Sequence, residues 1–152
     1  MREIEYTPIL TNGFKDITES DLQKEFVKPF DNGHEHRNKL LINFGHFLDQ
    51  FKKLGIQAEV WIDGSFATYA PDPSDVDVVF YFETEQIDLL EEEKKQLFNK
   101  LFTSRDFMRN LYKVEVHYGE KDNEMDYQQW IKTFGTYYDN ITPKGIFRMM
   151  YN

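Results

Sequence analysis

The longest periodic run of apolar residues lies at positions 35–54, where Leu40, Leu41, Phe44, Phe47, Leu48, Phe51 and Leu54 recur at i, i+3, i+4 and i+7 spacing. That spacing places them on one face of an amphipathic helix. Gly55 is suited to end it, because glycine tolerates the left-handed backbone that closes many helices. The segments "IQAEVWI", 56–62, and "DVDVVFYF", 75–82, are rich in β-branched and aromatic residues and predict two strands joined by a short turn. Upstream, 19–27 predicts a short helix broken by the proline and glycine of "KPFDNG". Downstream, Thr84 can cap a helix over 84–102 that buries Ile87, Leu90, Leu97, Phe98 and Leu101. "LYKVEVHY", 111–118, alternates as a third strand, 123–134 predicts a last helix, and "ITPKGIFRMMYN" reads as extended. No repeat, low-complexity tract or linker interrupts the 152 residues. The expectation is a single domain, 1–152, of the α+β class, with a small mixed sheet and flanking helices.

Composition sharpens this picture in three places. A chain that is 40% hydrophobic and 16% aromatic can fill one core. It has no cysteine, so a disulfide framework and a thiolate metal site are excluded, and a zinc site would have to be built from four histidines and carboxylates. The formal charge of -9 argues against a protein that coats nucleic acid, leaving room only for a short local basic groove. The start "MREIEYTPIL" lacks the basic and apolar regions of a signal peptide, and no apolar run approaches the roughly 20 residues of a membrane helix. A soluble, cytoplasmic protein with no membrane insertion is expected.

Most of the 27 acidic residues read as solvated surface, including the run "EEEKK" at 91–95. Asp75 and Asp77 do not, because they open an apolar strand. Side chains two apart on a strand share a face, so the two carboxylates stand about 6–7 Å apart along the backbone. Like charges so placed need a cation or a shared proton, although an Asp-x-Asp after the "PDPS" turn can also serve capping alone. Oxygen-only ligands suit magnesium, which commonly binds through one or two carboxylates plus substrate phosphates. Gly64 and Ser65 stand where a strand passes into "SFATYA", so backbone amides and the serine hydroxyl can face an anion. In "GHEHR", His34 and His36 fit either a two-histidine metal clip or a solvated loop, and Trp61 and Trp130 read as packing.

The order Ile62-Asp63-Gly64-Ser65, nine residues, Asp75-Val76-Asp77-Val78, and later Val114-Glu115-Val116 resembles the DNA polymerase β-like nucleotidyltransferase superfamily. The resemblance covers roughly residues 58–82 and 112–118, and "TNGF", Arg37 and "PKGI" extend a softer likeness to small bacterial members. It implies a minimal, palm-like nucleotidyltransferase fold. By the same resemblance Asp75 and Asp77 bind two magnesium ions, with manganese as an alternative, and Glu115 completes the metal site and helps activate the acceptor hydroxyl. Gly64 and Ser65 hold the triphosphate of the nucleotide. From the residues alone, Lys113, Glu115 and His117 can equally be the wet face of an alternating strand.

The implied reaction moves a nucleoside monophosphate from an NTP or dNTP to a hydroxyl acceptor, with the metal ions about 3.5–4 Å apart across an in-line displacement. Two minimal types are similar: antitoxin-like enzymes that nucleotidylate a partner toxin, and template-independent polymerases of anti-phage systems such as Hailong, which make short single-stranded oligomers. A nucleotide-binding module without catalysis, or a protein-binding antitoxin, is the alternative. One departure stands out. Antitoxin-type enzymes carry an arginine shortly after the serine, where this chain has Ala67 and Thr68. Arg37, Lys39, Lys94, Lys95, Arg105, Arg109 and Lys144 are the candidate replacements. Tyr151, one residue from the terminus, is a candidate acceptor hydroxyl for priming at its own site or that of a second copy.

Overall fold

A computed structural model of the chain describes residues 6–31, 33–134 and 144–151. Its centre is a five-stranded mixed sheet formed by β1 (Phe14–Ile17), β2 (Ala58–Asp63), β3 (Val76–Phe82), β4 (Val114–Glu120) and β5 (Ile146–Tyr151), in the order β1-β5-β2-β3-β4. β1 pairs parallel with β5 and β3 parallel with β4, while β2 runs antiparallel to both of its neighbours. Among the described residues six helices flank it: α1 (Leu22–Phe26), α2 (His34–Lys52), α3 (Thr84–Asp88), α4 (Glu92–Thr103), α5 (Arg105–Tyr112) and α6 (Glu124–Phe134). The α+β expectation holds.

Because strand side chains alternate, the sheet has two chemically different faces. One carries Val60, Ile62, Val76, Val78, Phe80, Phe82, Val114 and Val116, all buried in the main core. α2 covers it with the stripe that the periodicity predicts, and Leu40, Phe44, Phe47, Leu48, Phe51 and Leu54 are at most 3% exposed. The other face holds a smaller cluster of Trp61, Val79, Tyr81 and Ile146, against which Tyr127, Trp130 and Ile131 of α6 pack. Along this second face polar residues take over, and the candidate chemistry lies at one end of it.

Three departures from the expected elements have identifiable causes. The helix expected over 84–102 is two helices: Glu83, not Thr84, occupies the N-cap of α3, and the chain is extended at Glu91 before α4 begins. The acidic run thereby falls at the start of α4, where unsatisfied amide groups favour negative charge. Leu111 and Tyr112 belong to α5, not to the third strand. That helix closes at Lys113, which adopts left-handed backbone at φ 56°, and β4 starts immediately after. The C-terminal stretch is extended as expected over Ile146–Tyr151, with residues 141–143 and 152 outside the described residues, and the third departure is only that Tyr151 is not a loose end. It is buried in β5, opposite Ala58 at the start of β2, and packs on Phe51.

Candidate functional site

The ends of β2, β3 and β4 coincide, and the register sets three carboxylates side by side. Asp63 is paired with Asp77, and Asp77 with Glu115. Directly opposed residues project from the same face, so these groups form a row across three strands. Asp75 joins them from the residue before β3, where the Val76 amide donates to the Lys113 carbonyl at 2.9 Å. One oxygen from each of Asp75, Asp77 and Glu115 lies within 4.8 Å of the others. The sequence pattern therefore identifies three groups that the fold does bring together.

The electrostatics follow from how little water reaches the row. Burial pushes the Asp77 carboxyl up to about 9, helped by its hydrogen bond with Glu115 and by the charges of Asp75, Glu115 and Asp63. Asp77 Oδ1 is buried and has no hydrogen-bond partner among the described residues. Asp75 is also raised, first by burial and then by Glu115, while the Arg109 guanidinium at 3.3 Å works in the opposite direction. Arg105 reaches Glu115 at 3.5 Å. Four crowded carboxylates with two arginines at their outer edge make a set of hard oxygen donors with an excess of negative charge, the donor chemistry that divalent magnesium or manganese requires.

Asp63 is a further member, to which the sequence pattern assigns no role. It is 2% exposed, and burial raises it to about 7 against the pull of Lys144, whose Nζ lies 3.1 Å from Oδ2. Its signal in the sequence was faint: a carboxylate at the end of "AEVWID", where the apolar strand would otherwise continue.

Gly64 has a structural reason to be glycine. Its backbone is at φ 73°, and a Cβ there would run into the Asp77 carboxylate. The close approach of this turn to Asp77 thus depends on a missing side chain. Ser65, in the short 3-10 turn Ser65–Ala67 that follows, is exposed. The same turn is anchored from beneath by Thr68, whose Oγ1 donates to the Ser65 carbonyl at 2.7 Å.

Among the seven candidate cations, the structure separates the roles. Arg37 is fully buried and donates to the carbonyls of Phe26, Phe66, Thr68 and Ala70 at 2.6–3.2 Å, with its guanidinium 3.7 Å from the centre of the Phe30 ring. It shapes the loop behind Ser65 and has no donor directed at an anion outside. Lys94 approaches Gly55 at the opposite end of β2, and Lys95 shares that first stretch of α4, whereas Lys39 is exposed on α2. Arg105, Arg109 and Lys144 are at the site.

Two other sequence candidates are placed elsewhere. His34 and His36 bond separately to backbone carbonyls, of Asp31 at 3.3 Å and Pro73 at 2.5 Å, and form no clip. Tyr151 faces the main core, whereas the carboxylates stand on the other face at the far end of β2. The five residue steps from Ala58 to Asp63 span about 16 Å. Its hydroxyl is buried in a strand, too far from its own site and not exposed to that of a second copy, so the self-priming expectation is withdrawn.

Residues 3–150 match the model of the family of unknown function DUF6932, and the chain belongs to that family. No curated protein and no solved structure matches it.

Proposed function

We propose that this member of the DUF6932 family is a metal-dependent nucleotidyltransferase that moves a nucleoside monophosphate from an NTP or dNTP to a hydroxyl acceptor. The observation that carries the reading is the convergence of Asp75, Asp77 and Glu115 to within 4.8 Å beside a turn whose glycine is needed for contact with Asp77. Asp75, Asp77 and Glu115 would hold magnesium or manganese, and the orphaned Asp77 Oδ1 fits a site completed by a cation. Bound metal would supply charge neutralisation at the phosphates and a lowered pKa for the acceptor hydroxyl.

The chain's own residues divide the remaining work. The Gly64–Ser65 turn faces the triphosphate with amides and one hydroxyl, on the β2 side of the row. Lys144, held by Asp63, adds positive charge on that flank. Glu115, about one-third exposed at 34%, is the carboxylate open to the acceptor side and takes the hydroxyl proton. The acceptor oxygen bonds to the α-phosphorus as the bond to the bridging oxygen breaks, and pyrophosphate departs with that electron pair. A cognate toxin or effector protein and a short single-stranded nucleic acid are the two acceptor classes, within a bacterial toxin–antitoxin or anti-phage system. Cytoplasmic residence belongs to the same reading and agrees with the lack of cysteine. Among the described residues no helix is long and apolar enough to cross a membrane.

A second reading, a nucleotide-binding or antitoxin interaction module without turnover, is favoured by the ion pairs of Arg109 with Asp75 and Arg105 with Glu115, which partly neutralise the row without metal. Pyrophosphate release separates the two. The purified protein, incubated with magnesium and each ribo- and deoxynucleoside triphosphate, should release pyrophosphate with at least one of them when the acceptor is supplied from a cell extract. No release with any nucleotide, under conditions where binding is measured, leaves the module reading standing and removes the enzyme.

A further inference from the structure

The acidic row meets Lys144 on its β2 flank and a series of basic residues on its β4 flank. Arg105, Arg109 and Lys113 recur every four residues along α5 and its C-cap, so their backbone positions step by about 6 Å along one flank of the helix. All three are exposed. The flank lines two adjoining hollows. One, of about 420 Å³, is bounded by Asp75, Asp106, Arg109 and Lys113 among others, and the other, of about 360 Å³, by Arg105, Asp106, Arg109 and Glu115 among others. In a chain of net charge -9 the bases along this flank balance the acids Asp75, Asp106 and Glu115 that share the hollows, and the flank touches the site.

The sheet order decides which side of the reaction it serves. β3, carrying Asp77, lies between β2, which leads into the Gly64–Ser65 turn, and β4, which follows α5. The donor triphosphate and the α5 ridge are therefore on opposite sides of the carboxylates. Beyond Arg105, which also approaches His117 Nε2 at 3.5 Å, the half-buried rings of His117 and Trp130 pack with centroids 5.1 Å apart. Regularly spaced cations leading to an aromatic surface are the combination that holds single-stranded nucleic acid, through its phosphates and an unpaired base.

We infer that the α5 ridge is the acceptor site and that the acceptor is the end of a single-stranded nucleic acid. This deepens the nucleotidyltransferase reading and rests on it. Arg105 and Arg109 serve as counter-ions to Glu115 and Asp75 in the cation-free protein. Were a divalent ion held by those carboxylates, Arg105 and Arg109 would be free to pair with the phosphates of the strand, and its terminal hydroxyl would lie at Glu115.

The test is fluorescence anisotropy with a short fluorescein-labelled single-stranded DNA and, separately, its RNA counterpart, titrated with the full chain. The wild type should bind at least one strand, and magnesium at constant ionic strength should tighten the complex. Arg105→Ala/Arg109→Ala should weaken binding about tenfold and flatten the slope of log affinity against log salt by about 1.4, the loss of two single-strand phosphate contacts. Arg105→Lys/Arg109→Lys should keep most of the affinity, and unchanged circular dichroism confirms that each variant is folded. Absence of binding by the wild type, or equal binding by the alanine variant, overturns the assignment. So does loss of nucleoside triphosphate binding in the alanine variant with oligonucleotide binding intact, which would put the ridge on the donor side, or transfer to a protein acceptor without oligonucleotide binding. Failure of the nucleotidyltransferase reading looks different: oligonucleotide binding persists and depends on the ridge, but no pyrophosphate is released.

Discussion

Replacing Asp77 by asparagine should make the metal-free protein more stable, and the size of the gain should depend on pH. The folded carboxyl titrates near 9, while an unfolded one titrates at the ordinary 3.8. Between those values the folded protein keeps a proton that the unfolded chain has released. The stabilisation associated with that proton is complete below 3.8 and lost as pH rises through about 9. At about 1.4 kcal/mol per pH unit, the difference would reach about 4 kcal/mol by pH 7. Relaxation of the crowded row and partial proton sharing with Glu115 reduce this, and about 2 kcal/mol is the working expectation. For a chain of 152 residues that is a Tm rise of about 4–8 °C. Asparagine keeps the shape of the side chain and can still donate to Glu115. Thermal unfolding followed by circular dichroism in EDTA, at several pH values from about 5 to 8.5, measures it. The advantage of Asp77→Asn should grow with pH and shrink when magnesium is added, because magnesium stabilises only the wild type. A variant less stable than wild type at the alkaline end in EDTA would refute the account of a strained, proton-dependent row.

Other perturbations separate the parts of the site. Ser65→Ala should raise the KM for nucleotide and reduce kcat less than Asp77→Asn does, since the backbone amides of the turn remain; steady-state kinetics with an unchanged KM would place the triphosphate elsewhere. Gly64→Ala should lose magnesium-dependent activity and destabilise by at least about 1–3 kcal/mol, read from denaturant unfolding, because the new Cβ meets the Asp77 carboxylate at a backbone angle that alanine resists. Arg37→Ala should cost about 3–5 kcal/mol by the same measurement, through carbonyls left unpaired behind Ser65, and Arg37→Lys should not restore it, since an ammonium cannot span four carbonyls. Tyr151→Phe should leave any mass additions seen by intact mass spectrometry unchanged, because the hydroxyl is buried away from the site.

What could be read from the chain and what could not follows the strength of the local signal. α2 carries a long apolar stripe of helical period and β3 a near-continuous run of β-branched and aromatic residues, and both form where expected. α5 does not announce itself, because Arg105, Asp106, Arg109 and Asn110 leave only Met108 and Tyr112 facing inward, and "LYKVEVHY" alternates across the boundary at Lys113. β1 is a four-residue edge strand with two exposed polar positions, too short for a period to appear. At the site, Asp75, Asp77 and Glu115 were legible because strand spacing and motif order place them together. Asp63 required the register between β2 and β3, and the ridge of Arg105, Arg109 and Lys113 required the helix that the pattern concealed. Arg37 looked like a free cation because a sequence does not show the carbonyls that surround it.

The central claim is that the carboxylate row holds the metal that carries the nucleotide. Anomalous diffraction from crystals soaked with manganese and a non-hydrolysable nucleoside triphosphate tests it most directly. The account predicts manganese density among Asp75, Asp77 and Glu115, with the triphosphate running toward Gly64 and Ser65, and no such density in crystals of Asp77→Asn. Manganese and triphosphate bound away from Asp77, or bound equally well in Asp77→Asn, would contradict it.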